Sequence, residues 1–137
     1  MIGIIVVTHL DTATPFIQEA ERMLGNQKCV MGLNLHENES LESLCQHLSE
    51  SIENCFKEHE GEGEGVLILT DLFGSSPTNA CLKTLYSSQR PIEILTGVNL
   101  PMVISSLSYR SRLPLKELAE KVLSDGQKGI KHAVVHV

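Results

Sequence analysis

Two apolar runs in this 137-residue chain end on side chains that can do chemistry. GIIVVTH, residues 3–9, runs into His9, and GVLILTD, residues 65–71, runs into Asp71. A carboxylate that holds one nitrogen of an imidazole fixes its tautomer, leaves a lone pair on the other nitrogen, and stabilises positive charge developing on the ring. Such a pair makes a nucleophile. After Asp71, DLFGSSPTN supplies a glycine-containing turn and the unsatisfied N–H groups of a helix start, which favour an oxyanion or phosphate. Gly74, Ser75 and Ser76 are the candidates for that cradle. A nucleophile beside an anion cradle, with no basic clamp and no metal-ligand spacing, suggests a phosphoryl group that arrives already activated. Plainer roles stand beside these. A histidine at a strand end is often an ordinary edge residue, and an aspartate before a turn often caps the next helix. Ser76-Pro77 and Asn99-Leu100-Pro101 are most simply helix starts.

His9 and Asp71 can meet only if the elements behind them lie side by side. The chain alternates short β-rich runs with longer amphipathic segments. Residues 2–7 are nearly continuous Ile and Val, the pattern of a central parallel strand covered on both faces. A helix follows with Ala13, Phe16, Ile17, Ala20 and Leu24 on one side, Pro15 in its first turn and Gly25 closing it. A weaker strand spans about residues 28–35. The next helix, about residues 38–57, carries Leu41, Leu44, Cys45, Leu48, Ile52, Cys55 and Phe56 as one stripe.

Residues 58–65, EHEGEGEG, form an acidic, glycine-rich connector. Its glutamates would repel a phosphate, and its context matches no nucleotide fingerprint. Strands over 65–70 and 91–97 follow. The segment after Asp71 forms a helix capped at Ser76, and Asn99 or Leu100 caps another before Pro101. The last helix, about residues 114–128, turns Leu115, Leu118, Ala119, Val122 and Leu123 inward, and HAVVHV, 132–137, forms a short closing strand. This order predicts an α/β fold: an open, mostly parallel sheet with helices on both faces. Ligand sites in such sheets collect beyond the carboxyl ends of the strands, where strand order reverses.

Composition excludes several classes. Eleven basic against seventeen acidic residues give a net charge of −6, which disfavours nucleic acid and anionic lipid. No apolar run reaches a membrane span, and no basic leader with a cleavage site is present, so neither membrane insertion nor export is expected and the protein reads as cytoplasmic. Length fits one domain over residues 1–137. Cys29, Cys45, Cys55 and Cys81 lack paired spacing and read as buried thiols; His36, His47, His59, His132 and His136 are scattered and read as surface residues. No metal or cofactor is expected.

Three blocks carry a family resemblance across nearly the whole chain. IIVVTH followed by a helix ending MLG, then GVLILTDLFGSSPTNA, then TGVNLPMV, resemble in order and spacing the mannose-type (mannose–fructose–sorbose) IIA domain of the bacterial phosphotransferase system. The resemblance implies that His9 takes a phosphoryl group from the phosphocarrier protein HPr and passes it to a IIB domain in sugar uptake. It implies further that Asp71 orients His9 and that Ser76 lies close to the phosphorylated nitrogen. The strand order would be 2-1-3-4, in a homodimer that exchanges a C-terminal strand. Two positions depart from the family pattern: Leu10 stands where glycine usually follows the histidine, and Ser75 replaces the second glycine of G-G-S-P. Partners would dock on an apolar rim of Leu10, Leu72, Phe73, Leu100 and Met102. The alternative is a regulatory module whose phosphorylation state controls a partner protein. The related phosphotransfer subunit of dihydroxyacetone kinase fits G-S-P-x-N and G-V-N-L-P-M poorly. A receiver-like domain would need an acidic cluster where Thr8-His9 stand.

Overall fold

The computed structural model describes residues 1–36, 38–57 and 64–134. In chain order it comprises β1 (Gly3–His9), α1 (Ala13–Leu24), β2 (Val30–Leu35), α2 (Leu41–Lys57), β3 (Val66–Thr70), α3 (Ser76–Ser87), β4 (Ile92–Leu95), α4 (Leu100–Tyr109) and α5 (Leu115–Lys128). The strands form one parallel sheet in the order β2-β1-β3-β4, the order that the family resemblance implies.

The unbroken run of branched apolar residues in β1 follows from its place in the middle. Ile4 and Val6 pack on one face against α1, α4 and α5, while Ile5 and Val7 pack on the other against α2 and α3. Leu67 and Leu69 of β3 join the first core, and Val66 and Ile68 join the second. Full burial of each such side chain contributes about 1.5–3 kcal/mol, so the two inner strands anchor both layers. β1 and β3 pair in register from Gly3↔Val66 to Val7↔Thr70. Residues just beyond this ladder therefore emerge together at one edge of the sheet.

Helix starts are set by local chemistry. The Asn99 side chain caps α4 by accepting from the Met102 N–H at 3.0 Å, and its amide donates to the Gly126 carbonyl of α5, also at 3.0 Å. One residue thus caps one helix and ties it to the next. Gly126 has no room for a side chain, since a Cβ there would lie 2.4 Å from Met102 Cγ.

Several expectations are corrected. His9 is the last residue of β1 rather than the first after it, β2 begins at Val30, and α2 at Leu41. The cap position of α3 is Ser75, with extended backbone, and Ser76 is the first helical residue. Leu123, Leu24 and Leu41 are exposed at the margins of their stripes rather than inward. Lys131–Val134 form no strand, and residues 135–137 lie outside the described residues, as do His59, His136 and most of the acidic connector. Cys29, Cys55 and Cys81 are buried and Cys45 is half-buried.

Candidate functional site

The ladder between β1 and β3 is extended by a side chain where the backbone of β3 turns away. Beyond Val7↔Thr70, the Asp71 carboxylate accepts the backbone N–H of His9 at 2.9 Å and the ring Nδ1 of His9 at 2.6 Å, both on Oδ2. Its other oxygen, Oδ1, accepts from the Leu72 N–H at 2.8 Å. A carboxylate can only accept, so Nδ1 carries the hydrogen, and in the neutral ring Nε2 carries the lone pair. Nε2 has no hydrogen-bond partner among the described residues. The imidazole is 44% exposed and the carboxylate 22%. The ring is therefore reachable while its anchor is sheltered.

Partial burial by itself would raise the Asp71 carboxyl's pKa. The His9 backbone N–H, the His9 ring and the Leu72 N–H outweigh that cost and hold it below the usual carboxylate range. Asp71 is thus ionised at neutral pH and supplies a fixed negative charge to the ring.

The turn after Asp71 is tightly organised. The Leu72 carbonyl accepts from the Ser75 N–H at 3.1 Å, the Ser75 hydroxyl at 2.6 Å and the Thr78 hydroxyl at 2.6 Å. Ser75 therefore spends its hydroxyl on closing the turn, which accounts for the serine where the resemblance leads one to expect glycine. Gly74 takes φ +82°, a left-handed conformation that glycine adopts without cost, with open space around its Cα. Ser76 is exposed at the start of α3, where the first-turn N–H groups lack helical partners.

Thr78 was missed from sequence, although a threonine three residues into a helix after a serine cap is a recognisable turn former. Thr12 was also missed. Its hydroxyl donates to the His9 carbonyl at 2.9 Å, and the Asn34 side chain accepts from the Ala13 N–H at 3.0 Å, so β2 steadies the loop that follows His9.

The expected apolar rim is only partly present. Leu10, Leu72 and Phe73 are 59%, 67% and 82% exposed around the site, and Leu100 is half-buried beside Pro15 and Phe16 in an apolar groove of about 340 Å³. Met102 does not belong to the rim. It is 3% exposed because it points between α4 and α5, where Gly126 makes way for it. Leu10 adopts φ +46°, the left-handed region, and its N–H donates to the Leu35 carbonyl at 2.9 Å.

A second histidine–carboxylate pair, His47 Nδ1 to Glu39 Oε1 at 2.9 Å, lies on α2 and the loop before it, with no strand end and no anion cradle beside it. A polar cavity of about 580 Å³ between α2 and α3 shares no residue with the His9 site. Among the described residues no group of three His, Cys, Asp or Glu converges as a metal site would, and no helix is long and apolar enough to cross a membrane.

Comparison with known proteins gives this geometry a context. The family model EIIA-man, described as PTS system fructose IIA component, matches residues 3–123. The PTS system fructose-specific EIIA component of Bacillus subtilis (strain 168) is 26% identical over 137 residues, covering 100% of this chain and 90% of that protein. The PTS system mannose-specific EIIAB component of Escherichia coli (strain K12) is 29% identical over 131 residues, 95% of this chain but 39% of that protein.

Among solved structures, phosphotransferase system component EIIA from Streptococcus agalactiae superposes with a TM-score of 0.86 at 25% identity, over 96% of this chain and 97% of that one. The mannose/sorbose specific IIA subunit from Enterococcus faecalis superposes with a TM-score of 0.82 over 99% and 97% of the two chains; at 19% identity it supports the fold alone. The match over residues 3–123, with these relatives beside it, establishes that the chain belongs to the mannose–fructose–sorbose family of IIA components of the sugar phosphotransferase system.

Proposed function

We propose that His9 is the residue that carries the phosphoryl group, accepting it on Nε2 from phosphorylated HPr and passing it to a IIB domain. The observation that carries this reading is the 2.6 Å contact between His9 Nδ1 and Asp71 Oδ2 on a ring that is otherwise open to solvent. In the first step the Nε2 lone pair attacks phosphorus in line with the departing imidazole of HPr. One P–N bond forms as the other breaks, and the HPr ring recovers its lone pair. In the second step a nucleophile on IIB attacks the same phosphorus and His9 leaves. Asp71 accepts the hydrogen bond from Nδ1–H throughout and stabilises the charge the ring acquires while phosphorylated. Exchange between two nitrogen nucleophiles needs alignment and charge dispersal more than covalent machinery.

Gly74, Ser75 and Ser76 are assigned to the phosphate side of the site. Gly74 and Ser76 would offer N–H groups and a hydroxyl, while Ser75 shapes the turn. The loops beyond the four strands, residues 9–12, 36–40, 71–75 and 96–99, contain no lysine or arginine. Positive charge for the transferring group therefore comes from the partner. Leu10, Leu72, Phe73 and Leu100 supply the apolar docking surface, and Asp11 beside the Pro15–Phe16 groove supplies negative charge for a basic partner.

In this reading residues 1–137 act as a single cytoplasmic IIA domain in a homodimer. β4 pairs with β3 alone among the described residues, and Ile130 and Val134 after α5 are exposed, which suits an exchanged strand on that edge. The test is incubation of the chain with phosphoenolpyruvate, enzyme I and HPr. An acid-labile, base-stable phosphoryl adduct that a IIB domain removes is expected, and no adduct under conditions that phosphorylate HPr would overturn the proposal.

A further inference from the structure

Arg110, at the end of α4, is 3% exposed, yet its guanidinium donates only to neutral acceptors. These are the carbonyls of Ile2 and Cys29, each at 3.3 Å, and Gln27 Oε1 at 3.1 Å. No carboxylate pairs with it among the described residues, although a buried arginine ordinarily has such a partner. Burial lowers its affinity for the proton; the thiols of Cys29 and Cys55 act in the opposite sense, as the ionisable groups that favour its charge.

Those two thiols converge at the amino end of the sheet, opposite the His9 edge. The Cys29 thiol donates to the Cys55 carbonyl across 3.5 Å, and Cys55 Sγ lies 3.9 Å from Met31 Sδ. Both residues press on the same point of β1. The Cys29 carbonyl accepts from the Ile4 N–H at 2.9 Å, and a Cβ added to Gly3 would lie 3.3 Å from Cys55 Sγ. Cys29 itself is held at φ +52°. Cys29 and Cys55 both line one surface cavity of about 490 Å³, with Lys28 and Lys57 also on its wall. At Cys81, burial, then Cys45 and Asp71 nearby, push the thiol up to about 12, where it is inert at neutral pH.

We propose that Cys29 and Cys55 form a peroxide-responsive dithiol that closes to a disulfide between the residue before β2 and the last turn of α2. The Cys29 thiolate attacks one oxygen of hydrogen peroxide; the O–O bond breaks, the sulfur is oxidised to the sulfenic acid and hydroxide leaves. The Cys55 thiol then attacks that sulfur, the S–O bond breaks, and its proton leaves with the departing oxygen as water. Two thiols and one peroxide give one disulfide and two waters. Cys55 lies two residues from the end of α2, where a helix turn can yield enough for Sγ to swing from Met31 to Cys29. The bond would clamp the edge strand β2 to the helix that covers it.

The test is stoichiometric hydrogen peroxide on the folded full chain, thiol blocking, and peptide mapping without reduction. We expect a Cys29–Cys55 linked peptide that forms at least about tenfold faster than Cys81 is modified. It should survive in the Cys45→Ser/Cys81→Ser double variant and vanish in Cys29→Ser or Cys55→Ser. Arg110→Gln should slow closure about tenfold, with Arg110→Lys restoring most of the rate. Because Arg110 is buried, the wild-type chain in denaturant is the companion measurement, and there the preference for this pair should disappear. Equal reactivity of Cys81, oxidation of Cys29 without linkage, or the same preference in denaturant would each overturn the proposal.

Discussion

Oδ2 of Asp71 accepts from both the backbone N–H and the ring Nδ1 of His9, at 2.9 and 2.6 Å. One oxygen thus fixes where the residue sits and which way its ring faces. Replacing Asp71 by alanine or asparagine should slow phosphoryl transfer without abolishing it, by about 10- to 100-fold as for other residues that orient a reactive histidine. Transfer kinetics from phosphorylated HPr measure this, and an unchanged rate removes Asp71 from the mechanism.

The same contacts predict a pH dependence of stability. Partial burial opposes ionisation of Asp71, but the His9 N–H, the His9 ring and the Leu72 N–H overcome it, so the folded chain holds the carboxyl's proton less tightly than the unfolded chain does. The stabilisation is complete at neutral pH, begins to fall near about pH 4, where the unfolded carboxyl titrates, and is lost as pH drops through the lower folded value. Urea unfolding of the wild type and Asp71→Asn should differ by about 1–3 kcal/mol at pH 7, and the gap should narrow on acidification.

Leu10 presents a choice between strain and function. Its φ of +46° costs an ordinary residue about 1–2 kcal/mol that glycine avoids, and its side chain is mostly in solvent. Leu10→Gly should leave stability unchanged or raise it by up to about 1 kcal/mol while raising the KM for phosphorylated HPr. Thermal unfolding and transfer kinetics on one variant separate the two effects.

Phe73 is 82% exposed. Phe73→Ala should shift stability by less than about 0.5 kcal/mol and weaken donor docking, again visible as KM. Gly126→Ala should do the reverse. A Cβ 2.4 Å from Met102 Cγ forces α4 and α5 apart, which should destabilise the fold by about 1–3 kcal/mol with little change in transfer by the fraction that remains folded.

Much of this arrangement is legible in the sequence. Continuous Ile and Val in β1 and β3 signal strands covered on both faces, and strands that end on His9 and Asp71 put both at the carboxyl edge. Asn99 before Pro101 reads as a helix start and is one. What escaped depends on packing between elements distant in sequence. Met102 looks like a surface anchor in N-L-P-M until Gly126 of α5 is seen to leave a slot for it. Leu123 keeps helical spacing yet falls at the edge of the buried face of α5. The division of labour between Ser75 and Ser76 turns on the Leu72 carbonyl, which accepts from the Ser75 hydroxyl. The cluster of Arg110, Cys29 and Cys55 joins three distant segments and has no local signature at all.

The account rests on which atom of which residue carries the phosphoryl group. Long-range ¹H–¹⁵N correlation of the imidazole nitrogens in the phosphorylated chain reads this directly, with His9→Ala alongside as the control. The account predicts a single phosphohistidine, bonded through Nε2 of His9, with Nδ1 still protonated against Asp71 and no adduct in the variant. A phosphoryl group on Nδ1 of His9, or undiminished labelling of His9→Ala, would contradict it.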